Sequence, residues 1–252
     1  MSADVAGAAG HPIRPEVSLV AATPAAAPPS ASVPGPASSD LAANRAGSGA
    51  EERARAARRA SPVKSALGRL FHFATEEAHW RLAAAGQRKV GQTLSRLDAS
   101  WRVLHSIPVG ENHADIDHLV IGPPGLFTLT TKYRRGALVQ VFGDSVRVDG
   151  NQVPYVSHAR YEAWRAACLL TAACGYRIVV TPAIAIVGAE DVCVARPAEG
   201  VEILDRRHLL RWLTGLPHRL NQSHVGHIFS AARRSDTWLR RPVTLPRAQE
   251  AG

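Results

Sequence analysis

The stretch DIDHLVIGPPGLFTLTTK, residues 115–132, decides the fold that we predict for this chain. Apolar residues line the segments on both sides of GPPG, residues 122–125. Glycine and proline in this arrangement are typical of a turn, and the flanking segments are rich in the branched and aromatic residues that favour strands. The stretch therefore predicts a β-hairpin.

The register of this hairpin gathers polar side chains on one face of the sheet. If the two glycines of the turn face each other, Asp117 falls opposite Thr130 and Asp115 falls opposite Lys132. Opposed residues share a face, and so do residues two apart on one strand. We therefore expect a cluster of these four side chains at one end of the hairpin. A slip of one residue would separate them.

The predicted cluster contains the residue types that metal-dependent phosphodiester hydrolysis uses. Mg²⁺ binds hard oxygen ligands, usually one or two carboxylates with waters and phosphate oxygens. A nearby ammonium group stabilises negative charge that develops on the phosphate. Asp117 and Asp115 are the candidate metal ligands, and Lys132 is the candidate catalytic cation. Thr130 stands where a second acid would complete an acid-x-Lys pattern, and its hydroxyl carries no charge.

The rest of the chain predicts an α/β fold with a mixed sheet flanked by helices. The order is a helix, antiparallel strands, a further helix and then an apolar strand that is covered on both faces. The predicted elements are a helix at 87–97, strands at 101–109, 137–142 and 145–149, a helix at 157–173, strands at 177–188 and 201–204, and helices at 206–213 and 225–233.

Composition divides the chain into three parts. Residues 1–60 are dominated by Ala, Pro, Ser and Gly, and we predict a disordered arm because they bury little apolar surface. Residues 61–238 are predicted to form the folded domain, with a helix that begins at Ser61-Pro62. Residues 239–252 are predicted to be a flexible tail.

The charge balance favours an anionic partner. The chain has 30 Lys and Arg against 21 Asp and Glu, a net charge of +9, which suits nucleic acid. Arg134 and Arg135 follow Lys132 directly, and we predict that their guanidinium groups contact phosphates. We find no apolar stretch long enough for a membrane span and no secretory signal, and the three cysteines lack metal-site spacing. These features predict a cytoplasmic protein without a membrane partner.

Residues 116–127 and the dipeptides that follow them carry a family resemblance. Together with Thr131-Lys132 and Arg135-Gly136 they resemble the nuclease-related domain (NERD) family of the PD-(D/E)xK nuclease superfamily, most closely an actinobacterial branch. The similarity continues through residues 154–156, 169–175 and 231–235 and spans roughly residues 78–238. It implies a restriction-endonuclease-like fold, Mg²⁺ as cofactor and nucleic acid as partner.

The resemblance implies a role for individual residues as well. Asp117 matches the metal-binding Asp of the family and Lys132 the catalytic Lys. Thr130 lies at the position of the usual acid of the family, and Gln87 follows Gly86 where Gly-Glu is common. The resemblance thus implies a protein that binds nucleic acid through a basic face, with metal-dependent hydrolysis weak or lost because two acids are replaced.

Two alternatives remain open from the sequence. In the first, the protein is an active Mg²⁺-dependent nuclease, and Asp115, Glu111 or Glu162 supplies the missing carboxylate. In the second, the domain is a non-catalytic protein-interaction module that retains only the fold. Lys132 would then protect a strand edge from aggregation, and Thr130 would simply suit a strand.

Overall fold

The computed structural model describes residues 38–61, 75–110 and 114–239. Residues 1–37 of the predicted arm, the helix predicted after Ser61 and the predicted tail beyond Leu239 lie outside the described residues. None of the described helices is both long enough and apolar enough to cross a membrane.

Nine strands and six α-helices are found in the described part of the chain. The strands are β1 (Arg102–Val109), β2 (Ala114–Gly122), β3 (Gly125–Tyr133), β4 (Leu138–Phe142), β5 (Ser145–Val148), β6 (Asn151–Val153), β7 (Val180–Val187), β8 (Asp191–Arg196) and β9 (Glu202–Asp205). The helices are α1 (Ser48–Ala60), α2 (Glu76–Leu94), α3 (Tyr155–Cys174), α4 (Leu209–Gly215), α5 (Gln222–Ala232) and α6 (Ser235–Leu239). Short 3-10 turns span Leu41–Ala43 and Arg206–His208.

The strands form two mixed sheets. The first has the order β1-β2-β3-β7-β9, with antiparallel pairs from β1 to β3 and parallel pairs from β3 to β9. The second has the order β6-β5-β4-β8. The predicted α/β class with helices flanking mixed strands is confirmed, but the single sheet that we expected is wrong. Alternation at residues 137–149 predicts a hairpin and carries no information about which sheet the hairpin joins.

The predicted hairpin register is confirmed where β2 and β3 are paired. The ladder runs from Gly122 opposite Gly125 to His118 opposite Leu129. Beyond that pair the two strands have no ladder partners with each other in the described residues. The expected cross-strand pair of Asp117 and Thr130 is therefore not formed, because β2 and β3 separate at this point. We call the place where they separate, with Asp117 on β2 and Thr130 and Thr131 on β3, the fork.

Helices cover both faces of the first sheet. One face packs α2 and α4 on side chains such as Val120 and Leu129. The other packs α3, α5 and α6 on side chains such as Leu119 and Ile121. Alternate residues of β2 thus belong to opposite cores, as a sheet that is buried on both faces requires.

Residues 38–60 are ordered, so the predicted boundary of disorder at residue 60 is wrong. The Leu41 side chain is buried, and its N–H donates to the Arg233 carbonyl at 2.7 Å. Asp40 forms an ion pair with Arg233. Helix α1 has the sequence SGAEERARAARRA, whose Ala, Glu and Arg residues favour helix strongly. Averaging composition over residues 1–60 hid this difference.

A substitution at Gly122 tests the packing beneath the hairpin turn. A Cβ there would lie 2.1 Å from Cε3 of Trp101, whose ring is buried. We expect Gly122→Ala to lower the free energy of unfolding by about 1–3 kcal/mol through overpacking, measured by urea denaturation. Gly226→Ala on α5 is the control, because a Cβ there meets nothing within 4 Å. Equal stability of both variants would contradict this account of the turn.

Candidate active site

The candidate site lies at the fork between β2 and β3, where Asp117 is held by two neutral donors. The backbone N–H of Thr131 donates to Asp117 Oδ2 at 2.7 Å. The side-chain amide of Gln87 donates to Asp117 Oδ1 at 2.5 Å. Each carboxylate oxygen thus keeps a further lone pair while its orientation is held.

Helix α2 reaches this position because Gly86 allows it to approach β3 closely. A Cβ at Gly86 would lie 3.0 Å from Tyr133 Cβ and 3.1 Å from Thr131 Cγ2. The helix is capped by Thr75, whose hydroxyl accepts from the N–H of Ala78 at 3.1 Å. The close packing places the next residue of the helix, Gln87, in the fork.

Helix α3, which packs on the other face of the sheet from α2, brings a second acid next to β3. The Thr130 hydroxyl donates to Glu162 Oε2 at 3.2 Å. The other carboxylate oxygen, Oε1, is enclosed and has no hydrogen bond from any residue that the structure describes. A buried oxygen without a donor is costly unless it is protonated or meets a cation. Glu162 therefore stands beside the residue that replaces the expected acid.

Burial and the charge of a neighbouring carboxylate, Asp117 for Glu162 and Asp115 for Asp117, raise the pKa of both acids. Burial, followed by the charge of Asp117, raises the pKa of Glu162 to about 8. Burial also raises the pKa of Asp117 to about 6, although the Thr131 N–H and the Lys132 charge act in the opposite direction. Asp117 keeps some exposed surface, but protein surrounds it on most sides. At neutral pH without a cation, the pair therefore carries a proton, mainly on Glu162.

Lys132 supplies positive charge to both acids. Its Nζ lies 4.9 Å from the centre of the Tyr155 ring, and its charge lowers the pKa values of Asp117 and Glu162. The Tyr155 hydroxyl accepts from Nε of Arg134 at 2.6 Å. Tyr155 thus supports two cations at the edge of the site.

Asp115 lies near the fork but is engaged by helix α1. Its Oδ2 is 2.9 Å from Nη2 of Arg53, and the side chains of Arg53 and Asp115 are 27% and 18% exposed. Nη2 of Arg53 is buried, and its geometry to Asp115 is that of an ion pair and not of a hydrogen bond. Glu111, the remaining candidate for a replacement acid, lies outside the described residues.

A pair of histidines, His118 buried and His105 partly buried, lies next to the site. Nδ1 of His105 is 2.8 Å from Nδ1 of His118, and Nε2 of His118 is 3.3 Å from the Thr131 hydroxyl. Burial lowers the pKa of both histidines, that of His118 strongly. Neutral rings therefore link β1 and β2 to the residue whose N–H holds Asp117.

The acids at the fork fit a magnesium ion better than a zinc ion. No group of three or more His, Cys, Asp and Glu suited to a metal is found in residues 38–61, 75–110 and 114–239. Magnesium needs fewer protein ligands, since waters and phosphate oxygens complete its shell. Asp117 and Glu162 offer two carboxylates, and the enclosed Oε1 of Glu162 has no competing donor in the described residues.

The structure brings together most of the residues that the sequence singled out. Asp117, Thr130, Lys132 and Gln87 lie around one fork, Arg134 contacts Tyr155, and Arg135 is exposed. From the sequence, Glu162 was one of three candidates for the missing carboxylate. It could have been preferred, because it is the only acid in α3. Arg53 was missed because it lies in the segment that we predicted to be disordered.

The fold and the site together define a mixed α/β protein with a half-buried pair of acids and a lysine at a strand fork. Residues 82–187 match the family model of the nuclease-related domain, NERD. No curated protein and no solved structure matches the chain. The matched segment begins within α2 and ends with β7, so it contains Gln87, Asp117, Thr130, Lys132 and Glu162, whereas α1 lies outside it.

The ionisation of Glu162 predicts how stability depends on pH. Its pKa rises from an ordinary 4.5 to about 8 on folding, so the folded state binds more protons between these values. Stability should therefore fall as the pH rises through this window. At about 1.4 kcal/mol per pKa unit the full shift corresponds to about 5 kcal/mol, and solvent screening of the partly exposed side chain reduces this value. We therefore expect Glu162→Gln to raise the free energy of unfolding by about 2 kcal/mol at pH 8.5 and by little at pH 4.5.

Urea denaturation in EDTA at both pH values measures this effect without bound metal. Glu190→Gln is the matched control, since Glu190 is exposed, lies in the turn between β7 and β8 and is not among the causes of the pKa shifts of Asp117 and Glu162. A gain in stability from Glu162→Gln that is the same at both pH values would show that Glu162 ionises normally.

Proposed function

We propose that the protein is a metal-dependent phosphodiesterase acting on nucleic acid, of the PD-(D/E)xK type, in which Glu162 replaces the acid missing at Thr130. The observation that carries this proposal is the contact of the Thr130 hydroxyl with the Glu162 carboxyl group. It puts a carboxylate from a helix beside the strand position where the sequence lacks one. The match of residues 82–187 to a nuclease-related family supports the same reaction class.

Asp117 and Glu162 are the residues that would hold Mg²⁺. Gln87 and the Thr131 N–H orient Asp117 without adding negative charge. The two carboxylates of Asp117 and Glu162, when ionised, therefore match the charge of one divalent ion. When bound, the ion supplies positive charge to the phosphate oxygens. Binding a cation would release the proton that Glu162 carries in its absence.

Lys132 is the residue that would contact the scissile phosphate. Its ammonium group acts electrostatically on both acids and lies over the Tyr155 ring, which limits its freedom. A cation fixed in a partly enclosed site stabilises developing phosphate charge better than a solvated one. Lys132 also offers hydrogen-bond donors that orient an attacking water.

Arg134 and Arg135 are proposed to contact the nucleic-acid backbone beside the site. Arg135 is exposed, and Arg134 is positioned by its hydrogen bond to Tyr155. Contacts between arginine and phosphate bind without reading sequence. We therefore expect binding that weakens with salt and depends little on base sequence.

A second candidate function is nucleic-acid binding without cleavage. It is favoured by the raised pKa of Glu162, because a protonated acid is a poor ligand for a hard cation. Gln87 points the same way, since the family resemblance implies an acid there. In this alternative the basic residues retain their role, and the fork is a degenerate site.

Cleavage of supercoiled plasmid and of single-stranded DNA and RNA, with Mg²⁺ or Mn²⁺, separates the two functions. We expect metal-dependent cutting that falls by about 100-fold or more in Asp117→Ala, Lys132→Ala and Glu162→Gln, because each removes a ligand or a charge of the reaction. Glu190→Gln should cut like the wild type. Binding that depends on salt, without cutting by any form, would favour the second candidate. Absence of both would leave only the protein-interaction module.

Moving the carboxylate back to the strand tests the replacement directly. Thr130→Glu in the Glu162→Gln background restores one acid at the fork, so we expect it to recover part of the lost cutting. Thr130→Glu alone adds a second acid against Glu162 and should not increase cutting above the wild type. Failure of the double variant, with a folded protein by circular dichroism, would contradict a shared role for the two positions.

A further inference from the structure

Helix α1 lies against Asp115, although the helix is outside the segment that matches the nuclease-related family. Gly49, in the first turn of α1, approaches so closely that a Cβ there would be 2.3 Å from Asp115 Oδ2. The first turn of a helix carries partial positive charge, which favours a carboxylate at this place. The N-terminal helix is therefore in contact with an acid two residues from Asp117.

Arg53 completes this contact from the next turn of the helix. Its Nη2 lies 2.9 Å from Asp115 Oδ2, and its guanidinium group lies 4.6 Å from the centre of the Trp80 ring on α2. The ring and the carboxylate hold the planar group from two sides. The same oxygen of Asp115 thus meets both Gly49 and Arg53, and its charge is offset.

We propose that helix α1, through Gly49 and Arg53, keeps Asp115 out of the metal-binding set, so that a divalent cation is held by Asp117 and Glu162 alone. This inference rests on the proposed function. A carboxylate that is already paired with a guanidinium group is a weaker ligand, because the cation must compete for its charge. Oδ2 of Asp115 is paired with Arg53 while α1 is docked, whereas Glu162 has an enclosed oxygen with no donor in the described residues. Arg53 is thus a positioning residue that acts through Asp115.

The docking of α1 is mostly polar. Its buried side chains are only Ala50 and Ala54, and Glu51 forms an ion pair with Arg88 of α2. Arg53 is the residue of α1 whose side chain contacts both Asp115 on β2 and Trp80 on α2. Removing Arg53 would leave Asp115 as an unpaired carboxylate beside the other two acids.

Titration of the full chain with Mn²⁺, followed by water-proton relaxation, tests the inference without requiring cleavage. Arg53→Met should bind Mn²⁺ about tenfold more tightly than the wild type, because ligand charge count tunes the affinity of such sites. The charge-balanced double variant Arg53→Met/Asp115→Asn should return to within about twofold of the wild type. Arg55→Met is the matched control, since Arg55 is on the same helix, 68% exposed, and paired only with Glu51 among the described residues.

Several outcomes would overturn the inference. If the double variant binds Mn²⁺ tenfold more weakly than the wild type, Asp115 is itself a ligand, and the proposed function stands without this inference. Unchanged affinity in Arg53→Met would equally reject the role of Arg53. Arg53→Lys, which keeps the charge, should resemble the wild type, and hydrogen exchange of residues 48–60 reports whether α1 remains docked.

The same titration separates this inference from the proposed function. Loss of Mn²⁺ binding in Asp117→Asn and in Glu162→Gln supports the proposed ligands. If the wild type binds no Mn²⁺ but Arg53→Met gains binding that Asp115→Asn abolishes, α1 does exclude Asp115 and the proposed ligands are wrong. No binding by either form rejects both.

Discussion

The separation of β2 from β3 beyond the His118–Leu129 pair is the constraint on which the site depends. A continuous ladder would use the Thr131 N–H within the sheet, but at the fork this group is directed to the Asp117 carboxylate. A buried N–H must find an acceptor, and here the acceptor is a side chain with remaining lone pairs. At the fork, one hydrogen bond between the β2 and β3 backbones is therefore lost, and the N–H that would have formed it orients the Asp117 carboxylate instead.

The burial of two acids at the fork also explains why the groups that donate hydrogen bonds to them, Gln87, Thr130 and the Thr131 N–H, are neutral. Burying two acids is unfavourable, and each contact at the fork reduces that cost without removing the charge needed for a cation. Gln87 and Thr130 each donate one hydrogen bond, and Lys132 contributes charge from the far end of β3. The histidine pair behind Thr131 stays uncharged, so it supports the fork without repelling a cation.

The hairpin was predictable from sequence because turn chemistry and strand composition agree over residues 115–132. Its register was correct up to His118, but no sequence pattern signals the point at which paired strands part. The second sheet was only partly foreseen, because β8 is exposed along nearly all its length and lacks the alternation of a half-buried strand. Residues 38–60 were misjudged because an alanine-rich helix and an alanine-rich coil have similar composition, and only the interspersed Glu and Arg distinguish them.

The Thr130–Glu162 contact joins residues 32 positions apart, with Lys132 lying between them in the chain. The position of an acid on a strand is determined by the pleat of the sheet. The position of Glu162 is determined by how α3 packs on the sheet. Alanines at 159, 163 and 166 lie in the buried surface of that helix, and their small side chains let the helix lie close to the strands. The position of the acid therefore depends on the bulk of the buried side chains around it on the helix. A larger residue at any of the three would lift the carboxyl group away from the fork.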